Sequence, residues 1–388
     1  MNVIKKENYK VPVFSWCPEI EESAMIQIDN LARLPFVFKR VAIMSDCHAG
    51  YGMPIGGVLA VKDTIIPNAV GVDIGCGVSA TKTSLKKIDT NTIKKIMNQI
   101  RQVIPLGFKH HQKAQDKKLM PPRHSQCQIV DQEYNSALRQ LGTLGGGNHF
   151  IEILKGNDGF IWIMLHSGSR NLGYKIANFY DQLAIKLNRQ WNTKIPEKWE
   201  LAHLPADSKE GQAYLTEMQY CVDFARINRK LMMDRVISIF YGLVKPKKDF
   251  NSVIDIAHNY ATLETHFGKK VWLHRKGAVK ATKGLIGVIP GSQGTSSYIV
   301  EGLGNPESFM SCSHGAGRLM SRNQAIRTLN LEQEKRKLDQ KGIIHAIRHV
   351  SDLDEASSAY KPIDQVIKDQ KDLIKIKVKL SPLAVIKK

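Results

Sequence analysis

The sequence predicts an α+β fold: one large mixed domain over residues 1–388, a β-sheet core flanked by helices, with glycine-rich turns at the strand ends forming the functional site. Three observations predict it. Short apolar runs such as FIWIMLH (160–166) and LIGVIP (285–290) have the length of buried strands and fall short of helices. Longer stretches repeat apolar residues at helical spacing. No internal repeat, low-complexity linker or composition break divides the chain, and 388 residues with 43% apolar content can bury a sizeable core.

The elements follow in order. EIEESAMIQIDNLARL (19–34) places Met25, Ile28, Leu31 and Ala32 on one helical face, and Pro35 stops it. VAIMSD and GGVLAVKDTIIP read as strands separated by the turn HAGYGMPIGG. A helix follows, capped by Thr90 or Asn91, with Ile93, Ile96, Met97 and Ile100 as its buried stripe. Lys109 to Arg123 is basic and closed by proline, which predicts an exposed loop. Helices are expected from Leu172 to about Trp191, from about Gly211 to Phe240, and from Arg318 to Lys341. IKIKVKL alternates apolar residues with lysine, as an edge or half-exposed strand would.

Charge and cysteine usage narrow the function. Lysine and arginine number 56 against 36 acidic residues, a formal charge of +20, which favours a polyanionic partner and nucleic acid first. The six cysteines form no disulfide framework, so any special one is a ligand or a nucleophile. No apolar run reaches membrane-spanning length, and MNVIKKENYK lacks the apolar stretch of a secretion signal. A cytoplasmic protein without membrane association is expected.

One pattern recurs along the chain: an apolar strand running into a glycine-rich turn that carries a polar group. It occurs at IMSDCHAGYG, VGVDIGCG, LGGGNHFIE, IMLHSGSRNLG, IDIAHNYA, VIPGSQGTSS and SCSHGAGR. Glycines allow backbone N–H groups to approach a ligand closely. Any single histidine in such a turn is more often structural than a ligand, and neither a GxGxxG nor a P-loop spacing is present. Together, Asp73, Cys76, His149, His166 and His258 make a mixed O/S/N set suited to divalent transition metals, with a thiolate able to bridge two ions. Ligand softness alone favours zinc. His314, in SHGAGR with Arg318 four residues on, has the chemistry of a nucleophile toward phosphorus beside a charge-stabilising guanidinium. Ser292 and Ser297 suit phosphate or a base, or simply make an ordinary turn.

GVDIGCG, GGGNHFIE, HSGSRNLG, AHNYA, HRKGA, IPGSQGTSSY and SHGAGRLMSR resemble, in order, the signature blocks of the RtcB family of RNA ligases. The resemblance runs from near residue 35 to the final VIKK. It implies an enzyme of RNA repair or tRNA splicing that joins an RNA 3′-phosphate or 2′,3′-cyclic phosphate to a 5′-hydroxyl, using GTP and two manganese ions. The RNA would be tRNA halves or cleaved ribosomal or other RNA. His314 would attack the α-phosphorus of GTP, and the guanylate would pass to the RNA 3′-phosphate as RNA–ppG before the 5′-hydroxyl closes the junction. By the same resemblance, Cys76 would bridge two metals, one completed by His166 and His258, the other by Asp73 and His149. Asn148, His149, Phe150, Ile151, Glu152, His258, Asn259, Pro290, Gly291, Ser292, Gln293, Ser297, His314, Gly315, Ala316, Gly317 and Lys387 would surround the nucleotide. Asn148, Arg170 and Arg318 would join His314 in catalysis, and Arg322 would contact phosphate. A monomer is expected, and a protein activator is compatible with the resemblance.

The wording departs from the family's at Ser45 and Cys47, within MSDCH, although Asp46 and His48 are kept. Gln293 stands where methionine is common. Two other classes fit parts of the set: a binuclear metallo-phosphoesterase, with no use for His314 as nucleophile, and a basic RNA-binding protein with a structural metal. SHGAGR together with Lys387 favours the ligase.

Overall fold

The computed structural model describes residues 1–124, 127–246 and 249–388. It has a mixed α+β architecture organised around two sheets. The larger is antiparallel throughout, with strand order Ile254–Ala257, Gly77–Lys82, Ile161–Ser167, Phe150–Gly156, Ile374–Ile386, Ser297–Gly302, Ile286–Ile289. Its two edge strands approach each other, so the sheet curls nearly into a barrel. The second sheet runs Asn2–Ile4, Val13–Ser15, Val37–His48, Ile55–Val61, Lys269–Lys276, Asn259–His266, with one parallel pairing, between the second and third strands.

Helices cover the outer faces. Thr90–Val103 buries Ile93, Ile96, Met97 and Ile100, as the spacing predicts, against Ile151, Ile153 and Ile163 of the larger sheet. Its cap is Asp89, one residue before the expected Thr90 or Asn91, because the Asp89 carboxylate accepts from the Thr92 N–H. The expected helices over 172–191 and 211–240 are present as Arg170–Gln190 and Lys209–Val244. The latter packs along the larger sheet and reaches under the glycine turn of Cys76. The segment 109–123 is largely exposed, with one short 3-10 turn.

Two expectations need correction. Arg318 to Lys341 is two helices, Arg322–Thr328 and Leu331–Gln340. Ser321 and Asn330 each cap a fresh start, accepting from the N–H groups of Gln324 and Gln333. The lysine-alternating tail is the half-exposed strand its alternation allows, but not an edge: it is paired on both sides and guards none. Its Lys377 and Lys379 face outward and meet Glu301 and Asp364. The sequence reading also passed over the helix Gln128–Gln140 and the hairpin of strands 259–266 and 269–276. Among the described residues no helix is long and apolar enough to cross a membrane.

Candidate active site

The site lies at the seam of the two sheets. Strand Ile254–Ala257 belongs to the larger sheet and Asn259–His266 to the other, and His258 is the single residue between them. Its N–H donates to the Cys76 carbonyl at 2.8 Å, and its carbonyl accepts from the Ala278 N–H. In register, Gly77 faces Ser167 and Ala257, while His166 faces Phe150. Cys76, His149, His166 and His258 therefore gather at one end of the sheet although they are far apart in sequence.

The turn around Cys76 is pressed against the long helix. Gly75 has φ +75°, and a Cβ there would meet the Val222 Cα at 2.7 Å. Below the turn, the buried Arg229 donates to the carbonyls of Gly75 and Ser167 and pairs with Asp255 through two nitrogens. Its neighbour Asn228 accepts from the N–H groups of Gly142 and Thr143 and donates to Ser167 Oγ and the Gly168 carbonyl. Two adjacent helix residues thus tie together the loops that carry Cys76, His149 and His166.

The donor atoms converge. Cys76 Sγ lies 3.4 Å from His149 Nε2 and 3.2 Å from His166 Nε2. His166 Nε2 is 3.4 Å from His258 Nε2, and His149 Nε2 is 3.1 Å from Asp73 Oδ2. Two groups result, Asp73/Cys76/His149 and Cys76/His166/His258, sharing the thiol. The Nδ1 atoms of His149 and His166 face the carbonyls of Leu144 and Asn148, which places the proton on Nδ1 and turns the Nε2 lone pairs inward. Acceptors facing acceptors at these distances are what bridging cations would occupy.

Electrostatics agree with that fit. Burial, then the neighbouring imidazoles, pull His166 and His258 well below the usual histidine range, so both are neutral donors. Burial, reinforced by Asp73, pushes the Cys76 thiol well up, so its thiolate needs cations beside it.

Across the seam, His314 faces the cluster, its ring centroid 4.7 Å from that of His258. The fully buried Asp46 holds it: Oδ2 lies 2.6 Å from His314 Nδ1 and accepts from the N–H groups of His314 and Gly315. Among the described residues Nε2 has no hydrogen-bond partner, and His314 lines the cleft. Gly317, at φ +73°, lets SHGAGR close over Asp46, whose carbonyl a Cβ there would meet at 2.2 Å. Strand alternation accounts for the departures at MSDCH. Asp46 and His48 face the site, while Ser45 bonds the Val366 carbonyl and Cys47 packs in the core.

A cleft of about 150 Å³ contains most of the expected nucleotide residues: Asn148, Phe150, Glu152, Pro290 to Gln293, His314 to Arg318, Arg322 and Lys387. It adjoins a cavity of about 1100 Å³ that takes in Asp73, Cys76, His149, His258, Asn259 and Arg170. Ile151 is not brought in; its side chain lies in the core on the opposite face of its strand. Ser297 is buried behind the cleft and accepts from the Gly291 N–H. Burial pushes Glu152 up to about 8, with Lys387 pulling the other way.

Several residues the sequence reading left without a role are central here. Asp46 orients His314, and its strand-end position before His48 was the available signal. Glu355 gathers Arg318, Arg322 and Lys387, each at 3.2 Å, and the Tyr360 hydroxyl. Burial pushes Glu355 upward, but Lys387, Tyr360 and the two arginines bring it down to about 2. Nothing in its local sequence marks it. Arg229 and Asn228 read simply as helix positions.

A family model described as tRNA-splicing ligase RtcB matches residues 27–128 and 122–388. The RNA-splicing ligase RtcB of Escherichia coli K12 is 36% identical over 396 residues, spanning 96% of each chain. The tRNA-splicing ligase RtcB of Thermococcus kodakarensis is 32% identical over 421 residues, covering 89% of this chain and 87% of that one.

Proposed function

The chain belongs to the RtcB family, and from that premise we propose that it is a GTP- and manganese-dependent RNA ligase. It joins a 3′-phosphate or 2′,3′-cyclic phosphate end to a 5′-hydroxyl, acting in the cytoplasm on tRNA halves or cleaved RNA. The observation that supports this most is the buried Asp46–His314 pair, aimed into a cleft beside the Cys76 cluster.

His314 Nε2 attacks the α-phosphorus of GTP; an N–P bond forms and the bond to pyrophosphate breaks. Asp46 keeps the proton on Nδ1 and stabilises the charge that grows on the ring. An RNA 3′-phosphate oxygen then displaces His314, giving the RNA–ppG end, and a cyclic phosphate is first opened by water. The 5′-hydroxyl attacks that end, GMP leaves, and the phosphodiester forms. Two divalent cations, when bound, neutralise phosphate charge and polarise the reacting P–O bonds. Asp73, Cys76 and His149 would hold one, and Cys76, His166 and His258 the other. The donor chemistry suits zinc as well; manganese rests on the family likeness. Glu152 and Asn148 suit the guanine and ribose edges, while Arg170, Arg318 and Arg322 suit phosphates.

The test is incubation with α-labelled GTP and Mn²⁺. Acid-labile label on the protein is expected, and its loss in His314→Ala with folding preserved. A phosphoesterase would keep its turnover in that variant and lose it in Cys76→Ala. Unchanged labelling of His314→Ala refutes the assignment.

A further inference from the structure

We propose that Phe108 and the basic groups around it form a stacking platform for one unpaired nucleobase of the RNA, next to the reacting end. The proposal rests on the RNA-ligase reading and adds to it a residue that meets a base instead of a phosphate.

Phe108 is 86% exposed, the most exposed large hydrophobic side chain among the described residues. A single exposed apolar residue needs no explanation on a mobile tip. This one is held in place. The Gly107 N–H donates to the Gly145 carbonyl at 2.8 Å, the Lys109 N–H to the Leu106 carbonyl, and the His111 N–H to the Arg139 carbonyl. Arg170 Nη2 donates to the Gly107 carbonyl, and Arg235 fixes the following turn through Gln115 Oε1. The backbone before the ring is tied to the glycine loop that carries His149 and the backbone after it to the helix Gln128–Gln140, and the ring projects at the mouth of the larger cavity.

Its surroundings have the composition of a single-strand site. Lys388 Nζ lies 4.8 Å from the ring centroid. His110 and Arg170 line the same cavity, as do the exposed rings of Tyr51 and Tyr174. An aromatic face among cations matches a nucleobase whose own phosphates need neutralising, and stacking accepts any base. Stacking at this mouth would fix the strand while its terminal phosphate reaches the Cys76 cluster inside the same cavity. A duplex end, with its bases already stacked, has no free face to offer. The ligase would therefore prefer ends with an unpaired nucleotide.

The test uses short single-stranded RNAs with 2-aminopurine at the terminal nucleotide, one on a 3′-phosphate strand and one on a 5′-hydroxyl strand, with the full chain and no GTP. Wild-type protein should quench the fluorescence of one of the two. Phe108→Ala should lose the quenching and bind that strand about ten- to a hundredfold more weakly, and Phe108→Trp should keep both. Labelling by α-labelled GTP should be the same in all three proteins. If Phe108→Ala quenches and binds like wild type while labelling is intact, the platform is refuted and the ligase reading stands. If wild type is neither labelled nor bound by RNA, both fall together.

Discussion

On the Cys76 side of the cleft, the imidazoles of His149 and His166 are backed by carbonyls, and their inner nitrogens converge without a cationic partner. On the opposite side the cationic groups are already engaged by protein. Glu355 holds Arg318, Arg322 and Lys387, and Arg318 also donates to the carbonyls of Met320 and Asp354. One wall presents prearranged acceptors, and the other three cations that share a single carboxylate. Cations can enter the first without side-chain rearrangement. Phosphates must compete with a carboxylate to recruit the second, which ties recruitment of the arginines to arrival of a ligand.

Three perturbations would break or sharpen this contrast. The largest effect is expected at His314, the proposed nucleophile. Asp46→Asn removes the carboxylate charge that holds the proton on His314 Nδ1. Single-turnover labelling by GTP should slow by about 10³- to 10⁴-fold, the scale known for the wrong imidazole tautomer. A loss under tenfold would mean that His314 needs no such orientation.

Next comes the scaffold of the metal wall. Arg229→Met leaves the Gly75 and Ser167 carbonyls without their common donor and should lower stability by about 1–3 kcal/mol, read by denaturant unfolding. Manganese affinity should also fall by about ten- to a hundredfold, read by calorimetry, because the carbonyls of Gly75 and Ser167 lose their common donor. Lowered stability with unchanged manganese affinity would show that Arg229 matters only for folding.

The smallest effect is a pH dependence on the nucleotide wall. With Glu152 held up to about 8, a nucleotide whose N–H groups need an ionised acceptor must displace its proton. GTP affinity should therefore rise with pH, by at most about tenfold per unit, and level off above pH 8. Glu152→Gln should flatten the profile. In the free protein the sign is opposite: a carboxyl with a raised folded pKa favours folding most at low pH, and its contribution is lost as pH rises through about 8. A profile for Glu152→Gln identical to wild type would remove Glu152 from base recognition.

Much of the fold was legible, because buried strands and amphipathic helices announce themselves by period. FIWIMLH and the Ile93–Ile100 stripe needed no tertiary knowledge. The single helix expected over 318–341 failed because caps inside a charged run compete with its periodicity, and Ser321 and Asn330 won. For the tail, the half-exposed strand is there and the edge is not: strand neighbours are set by topology, which the alternation of IKIKVKL does not encode. In the site, the metal candidates were visible as polar groups at glycine turns. Asp46 was visible only as part of a motif, and Glu355 lies in a 3-10 segment with no glycine turn beside it. Its importance arises from three cations contributed by distant segments, a convergence that exists only in three dimensions.

His258 is at once a candidate ligand and the single residue between a strand of one sheet and a strand of the other. A cation gripping it would rivet those layers, so loading should stiffen the whole molecule and raise its melting temperature in step with ion concentration. The same economy leaves no slack: a one-residue insertion at this crossing would throw the imidazole out of reach.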